Sequence, residues 1–218
     1  MFSSQLSSDT VLFDDRKDAG ERLAQLVLEQ AQSVEGSFIV YALPRGGVEI
    51  GAAIAQVLHC PLDILVAKKI TRPENPELAI GAVTADGQVL RSVHSRIPGW
   101  EDALNRALAK AKGQFEQFRD RPNVTATGKI ALLVDDGIAT GMTISVAAKS
   151  LRKQEPKEIW ICAPVAPQVM IQQLEGICDR VLVLATPEPF LSVSRFYRSF
   201  PQVEMESAIA DLKRTLQS

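Results

Sequence analysis

Apolar residues along this chain follow two rhythms. Short unbroken runs alternate with longer stretches in which apolar positions recur every three or four residues. The runs Ser37–Leu43, Leu62–Ala67, Ala131–Val134, Glu158–Pro164 and Arg180–Ala185 are of strand length and show no polar face, the pattern of strands covered on both sides. Between them, Asp14-Asp15-Arg16 opens an amphipathic helix with Ala19, Leu23, Leu26 and Val27 on one stripe, its acids suiting the helix dipole and Gly36 marking a stop. Val48–Leu58, Ile144–Leu151 and Gln168–Leu174 read as further helices, and Val203–Leu216 as a closing amphipathic one with Ala208, Leu212 and Leu216 aligned. Strand-helix-strand units cross over right-handed. Five such strands therefore predict a doubly wound, mainly parallel α/β sheet, whose ligands sit outside the carboxyl ends of the strands.

The alternation is interrupted once. Lys68–Glu77 is charged and carries Pro73 and Pro76, which predicts a mobile exposed loop. Two short runs, Ala79–Ala85 and Gln88–Val93, flank Asp86-Gly87 and predict a hairpin. Trp100–Arg119 then reads as a long helix, terminated at Arg121-Pro122-Asn123. Residues 186–202 are rich in Pro and aromatics and too irregular for a strand or helix, as expected of a lid or rim. The expectation is one domain over residues 1–218, in which 68–128 is an insertion and 186–218 a hood with the last helix.

Candidate chemistry concentrates where the third apolar run ends. Ala131-Leu132-Leu133-Val134 meets two adjacent carboxylates, Asp135 and Asp136, and then the small-residue loop Gly137-Ile138-Ala139-Thr140-Gly141-Met142-Thr143. A loop without bulky side chains lets backbone N–H groups and the hydroxyls of Thr140 and Thr143 converge on an anion, helped by the positive end of the next helix. The two acids suit hydroxyls, or a metal accompanying a phosphate ester. A sugar phosphate satisfies both halves. Buried strands of such sheets often end in one acid and a Gly turn, so a lone Asp-Gly would carry little weight; the doubled acid before Gly-x-Ala-Thr-Gly-x-Thr is far more specific. A second candidate is Leu43-Pro44-Arg45-Gly46-Gly47-Val48, where two glycines let the backbone approach an anion and Arg45 supplies a cationic fork.

The stretch Ala131–Thr143 resembles the phosphoribosyl pyrophosphate (PRPP) binding motif of the type I phosphoribosyltransferases, with Gly137 standing where the family usually has an apolar residue. Over Phe13–Arg16, Leu43–Val48, Asn75–Ala82 and Phe196-Tyr197 the chain is similar to a bacterial group of such proteins whose acceptor is not assigned. The resemblance implies that Asp135 and Asp136 hold the ribose hydroxyls and that Gly137 and Ala139–Thr143 hold the 5-phosphate. It further implies that Arg45, Gly46 and Gly47, together with Lys68 or Lys69 from a closing loop, hold pyrophosphate, with Arg72 equally well a solvated charge. The catalytic set is then Asp135, Asp136 and Arg45. The peptide bond entering Arg45 is expected to be cis, and Mg2+ is implied as cofactor, held mainly by substrate oxygens with Asp135 and Asp136 at second hand. Family members acting on 6-oxopurines carry an acid where this chain has Ala139, which argues against that acceptor. Phe196 and Tyr197 are candidates to stack on a flat acceptor, or equally to form an apolar plug beneath the hood. His59 and His94 are expected outside the chemistry, and Asp63 and Trp160 to be structural.

Composition narrows the classes. A net charge of -2 gives no basic field for nucleic acid, and three cysteines without CxxC spacing argue against disulfides or zinc. No apolar run reaches membrane-span length and Met1–Thr10 lacks a signal-like core, so a cytoplasmic protein is expected, and by resemblance a homodimer. The leading expectation is an Mg2+-dependent enzyme transferring ribose 5-phosphate from PRPP to a small acceptor, probed against a PRPP-binding regulator without turnover. Hydrolysis of a phosphorylated sugar would need a water-activating base that the sequence does not offer.

Overall fold

The computed structural model describes residues 11–72, 75–92, 98–122 and 124–215. Five parallel strands form the main sheet: β1 (Phe38–Ala42), β2 (Leu62–Ile64), β6 (Ile130–Val134), β7 (Glu158–Val165) and β8 (Arg180–Ala185), in the order β2-β1-β6-β7-β8. The unbroken apolar runs are explained by burial on both faces. Val40, Ala42, Ile130, Leu132, Val134, Trp160 and Cys162 point into one core, and Ile39, Tyr41, Ala131, Leu133, Ile159, Ile161 and Ala163 into the other, the period-2 alternation of a strand. The first core is covered by α1 (Arg16–Ala31), α2 (Gly46–Leu58) and α6 (Met205–Arg214), the second by α4 (Met142–Arg152) and α5 (Gln168–Glu175). Asp15 caps α1, its side chain accepting from the Asp18 amide at 2.9 Å.

The insertion departs from its sequence reading. Lys68 and the residues after it do not form a loop: β3 (Ala67–Arg72), β4 (Asn75–Thr84) and β5 (Val89–Arg91) make a separate three-stranded antiparallel sheet. Antiparallel pairing with β4 overrides the charge of Lys68 and Lys69, because Ile70 faces inward to join Ile80, Val83, Trp100, Ala103 and Ala107 in a small core beneath α3 (Trp100–Gln117). The pairing is irregular at Ile70–Arg72, where the register shifts twice. The hairpin turn falls at Asp86-Gly87 as expected, with Gly87 at φ 88°. His94 lies outside the described residues.

The two sheets meet at a seam. The Leu65 amide donates to Ala42 O (3.0 Å) and that of Ala85 to Val66 O (3.0 Å). A cavity of about 240 Å³ lies there, its wall including Tyr41, Asp63, Asp86, Arg121 and Gln154. Buried Asp63 is held by the Ile64 amide (2.8 Å) and by Arg121 (3.2 Å), which agrees with a structural role; burial nevertheless pushes its carboxyl up to about 6. The three cysteines are free thiols, and none of the helices among the described residues is long and apolar enough to cross a membrane.

Candidate active site

The chain leaves β1 toward β2 on one side, while β6 pairs on the other, so the carboxyl ends of β1 and β6 flank the point where strand order reverses. Both sequence motifs sit there. The Leu43 amide donates to Val134 O at 2.8 Å, and the chain then turns through a cis peptide bond between Pro44 and Arg45, as the resemblance implied. α2 starts at once. Gly46 is required by space: a Cβ would overlap Asp136 Oδ2 and lie 2.9 Å from Arg16 Nε. The pyrophosphate candidates Arg45 and Gly46 and the ribose candidate Asp136 are therefore brought together in one corner.

The carboxylate pair is desolvated. Burial raises Asp135 well above the usual carboxylate range, and the neighbouring Asp136 charge raises it further. Asp135 Oδ1 accepts from the Asp136 amide at 2.9 Å. Asp136 is also raised by burial, with Arg16 acting against that shift. Arg16 is the residue missed in the sequence. Its Nε donates to Asp136 Oδ2 at 2.8 Å, Nη1 donates to Pro201 O at 2.8 Å, and the guanidinium lies 3.7 Å from the centre of the Phe200 ring. One local signal was available: a cation in the first turn of α1 opposes the helix dipole, so something distant has to hold it.

After Asp136 the loop reaches α4 through Gly141, whose φ of 67° favours glycine and whose position lacks a side-chain cap, leaving the first-turn amides of α4 without a side-chain partner from that position. Ala139 and Thr140 are exposed. Lys69, Asp135, Gly137, Ala139, Thr140, Gly141 and Thr143 line a cavity of about 190 Å³, in which one ammonium and the small-residue loop leading to the α4 N-terminus suit a phosphate ester. Met142 stands at the first position of α4. The insertion thus divides its two lysines. Lys69 belongs to the cup, whereas half-buried Lys68 is pushed below the usual ammonium range by burial and by the charges of Arg45 and Lys110. Three cations crowding one place is an arrangement that a polyanion relieves.

The hood closes the corner by packing. Phe196 and Tyr197, expected as a stacking surface for the acceptor, are buried at 5% and 4% exposure and offer no open ring face. Their rings pack on Phe190, Phe13 and Phe200, which corresponds to the apolar plug. The Tyr197 hydroxyl donates to Asp136 O at 2.7 Å, tying the plug to the site. The N-terminal strap is part of this roof: the amides of Leu12 and Phe13 donate to Phe196 O, and those of Arg198 and Ser199 to Phe13 O and Asp14 O. A 3-10 turn, Val193–Phe196, puts Val193 Cγ1 where a Cβ on Gly137 would overlap it. His59 ends α2 in a left-handed conformation, away from both motifs, as expected of a structural residue. Among the described residues no group of three or more His, Cys, Asp or Glu side chains gathers as a metal cage.

The structure is similar to TT1426 from Thermus thermophilus, with a TM-score of 0.77 at 29% identity over 94% of this chain and 99% of that one. It shares the fold of a purine phosphoribosyltransferase from Pyrococcus horikoshii, at TM-score 0.51, 16% identity, and coverage of 90% and 99%. A Mycobacterium tuberculosis protein, named provisionally as a phosphoribosyl transferase, is 37% identical over 210 residues, 93% of this chain. The chain spans about half the length of that relative, 47%. The model of the phosphoribosyl transferase domain matches residues 13–183, a stretch that runs from the strap through the turn at Arg45, the carboxylate pair and the loop to Thr143 as far as β8, so this chain belongs to that family.

Proposed function

We propose that the protein transfers ribose 5-phosphate from PRPP to a small nitrogen acceptor and releases pyrophosphate. One observation carries the reading: a half-buried carboxylate pair joins a phosphate-sized cup, lined by Lys69 and Asp135, to the corner where Asp136 meets the turn at Arg45 and Gly46, with Lys68 beside Arg45. A 5-phosphate, a diol and a pyrophosphate are required together only by a donor of this kind. Asp135 and Asp136 accept the ribose hydroxyls, the loop from Gly137 to Thr143 holds the 5-phosphate, and Arg45, Gly46, Gly47 and Lys68 hold the leaving group. As pyrophosphate departs, the anomeric carbon becomes electron-poor. The half-buried carboxylates hold the ribose and stabilise that charge, while the plug of Phe196 and Tyr197 limits the access of water to Asp136. Phe196 and Tyr197 thus serve the acceptor only by shaping the hood, and the acceptor is placed between Ala139 and the turn at Val193.

Mg2+ fits this donor set. Two adjacent carboxylates offer hard oxygen donors, and with Arg16 paired to Asp136, Asp135 and Asp136 would hold the ion at second hand. When bound, the ion would neutralise charge on pyrophosphate. The cytoplasmic, homodimeric setting is part of the proposal and is checked by fractionation and light scattering.

Calorimetry with PRPP and Mg2+ tests the donor, and pyrophosphate release across a panel of bases and amines tests turnover. Absence of PRPP binding would overturn the reading; binding without release for every acceptor would replace it with the regulator. Asp136→Asn is expected to weaken PRPP binding about 100-fold, the order seen when a buried charge-assisted contact is lost.

A further inference from the structure

We infer that Arg16 is a positioning residue of the donor site: it sets the orientation of the Asp136 carboxylate for the ribose hydroxyls and ties that orientation to the packing of the hood. The inference rests on the reading of Asp136 as a ribose contact. Four parts of the fold meet at this one side chain. Arg16 comes from the first turn of α1, Asp136 from the end of β6, Gly46 from the start of α2, and Phe200 and Pro201 from the hood.

The geometry gives Asp136 little freedom. Its Oδ2 accepts from Arg16 Nε at 2.8 Å, and both atoms crowd the bare backbone of Gly46, so the carboxylate and the guanidinium are packed together against the pyrophosphate loop. The guanidinium is itself fixed in three ways. Its central carbon lies over the Phe200 ring, 3.7 Å from the centroid, Nη1 donates to Pro201 O, and the residue is 6% exposed. A planar fork held like this transmits position, whereas an ammonium on a flexible stem supplies only charge. Tyr197 makes a second tether from the hood to the same residue, at the main-chain oxygen. Lifting the hood would pull on Phe200, Pro201 and Tyr197 together and so release Asp136 from both sides. The charged and titratable groups around this node are Arg16, Asp135, Glu49 and Tyr197.

A merely structural ion pair and a positioning one differ in which ligands they affect. Loss of a structural pair loosens the whole corner and weakens every ligand. Loss of the positioning contact weakens only ligands that carry the ribose. The experiment titrates Mg2+ with PRPP, ribose 5-phosphate or pyrophosphate into the full chain and into Arg16→Gln, Arg16→Lys and Phe200→Leu. Arg16→Gln is expected to weaken PRPP and ribose 5-phosphate by about 10- to 100-fold, the range for partners that orient a ligating group, and pyrophosphate by less than about twofold. Arg16→Lys restores part of that loss through its charge, and Phe200→Leu reproduces a smaller version of it with the same ligand ranking. Equal losses for all three ligands, or an unchanged affinity for ribose 5-phosphate, would overturn the inference. Should Arg16→Gln fail to fold, Arg16→Lys and Phe200→Leu read the same contrast. A wild-type chain that binds none of the three ligands overturns the donor reading itself, whereas normal wild-type binding with indifferent Arg16 variants overturns only the role of Arg16.

Discussion

In the parallel sheet every residue of β6 from Ile130 to Val134 is buried, whereas in the insertion sheet Ile70 is the sole fully buried residue of β3. The first delivers Asp135 and Asp136 from the interior of a two-faced core. The second presents Lys68 and Lys69 from a strand anchored by one side chain in a core of six residues. Groups that must hold a carboxylate plane are built on the part of the molecule that does not yield. Cations that meet a polyanion tolerate looser placement, because charge attraction falls off slowly compared with a hydrogen bond's angular demand. The difference predicts two levels of local stability within one site.

The most disruptive way to sharpen this contrast is Trp100→Ala. Removing the ring from the insertion core should cost that unit about 3 to 5 kcal/mol. Hydrogen exchange is expected to accelerate in β3, β4 and α3 while amides of β6 stay protected; uniform acceleration would mean that the two sheets open as one. At the seam, Asp63 gives a pH effect of about 3 kcal/mol at most, its carboxyl being raised from 3.8 to about 6. The folded chain holds this proton more tightly than the unfolded one, so stability should fall as pH rises from about 4 to about 6 and level off above. Tyr41 and Arg121 face the same group, and Asp63→Asn should flatten that part of the stability–pH curve in urea melts. An unaltered curve would show that Asp63 is well solvated.

Within the rigid half, Gly46→Ala forces a Cβ against Asp136 and Arg16. A destabilisation of about 1 to 3 kcal/mol is expected, together with loss of PRPP binding measured by calorimetry. Wild-type affinity would show that the carboxylate can swing aside. The smallest effect belongs to the insertion: Lys69→Ala should weaken PRPP by about 1 kcal/mol, the worth of a partly exposed charge on a phosphate, and high salt should shrink that difference. A salt-independent loss would place Lys69 in a fixed, desolvated contact instead.

What could be read in the sequence follows the same division. β8 was legible to the residue, and β6 and β7 within one, because burial on both faces leaves an uninterrupted apolar run. The positions of the two loops were legible because each follows directly on an apolar run and is rich in small residues, Gly46 and Gly47 in one and Gly137, Ala139, Thr140 and Gly141 in the other. β3 was not, since its strand character comes from pairing with β4 and not from Lys68, Lys69 or Thr71 themselves. Arg16 was missed because its partner lies 120 positions away and nothing local records a tertiary ion pair except its awkward place on the helix dipole. Phe196 and Tyr197 were visible as aromatics, yet their pattern could not distinguish an open platform from a plug. That distinction depends on the strap at Phe13 and on Phe190 and Phe200 covering the rings.

The contact between Val193 and Gly137 makes these two positions a single unit of volume shared by the loop after Asp136 and the hood. A residue of ordinary size at 137 is compatible with this roof only if 193 shrinks, so mutational drift at one position is constrained by the other even though 56 positions separate them. The exchange that keeps this roof filled is therefore Gly137→Val paired with Val193→Gly. Either change alone would overfill or hollow the roof, while the pair moves apolar surface from the hood to the loop and so redraws the pocket wall beside Ala139 without altering its total size.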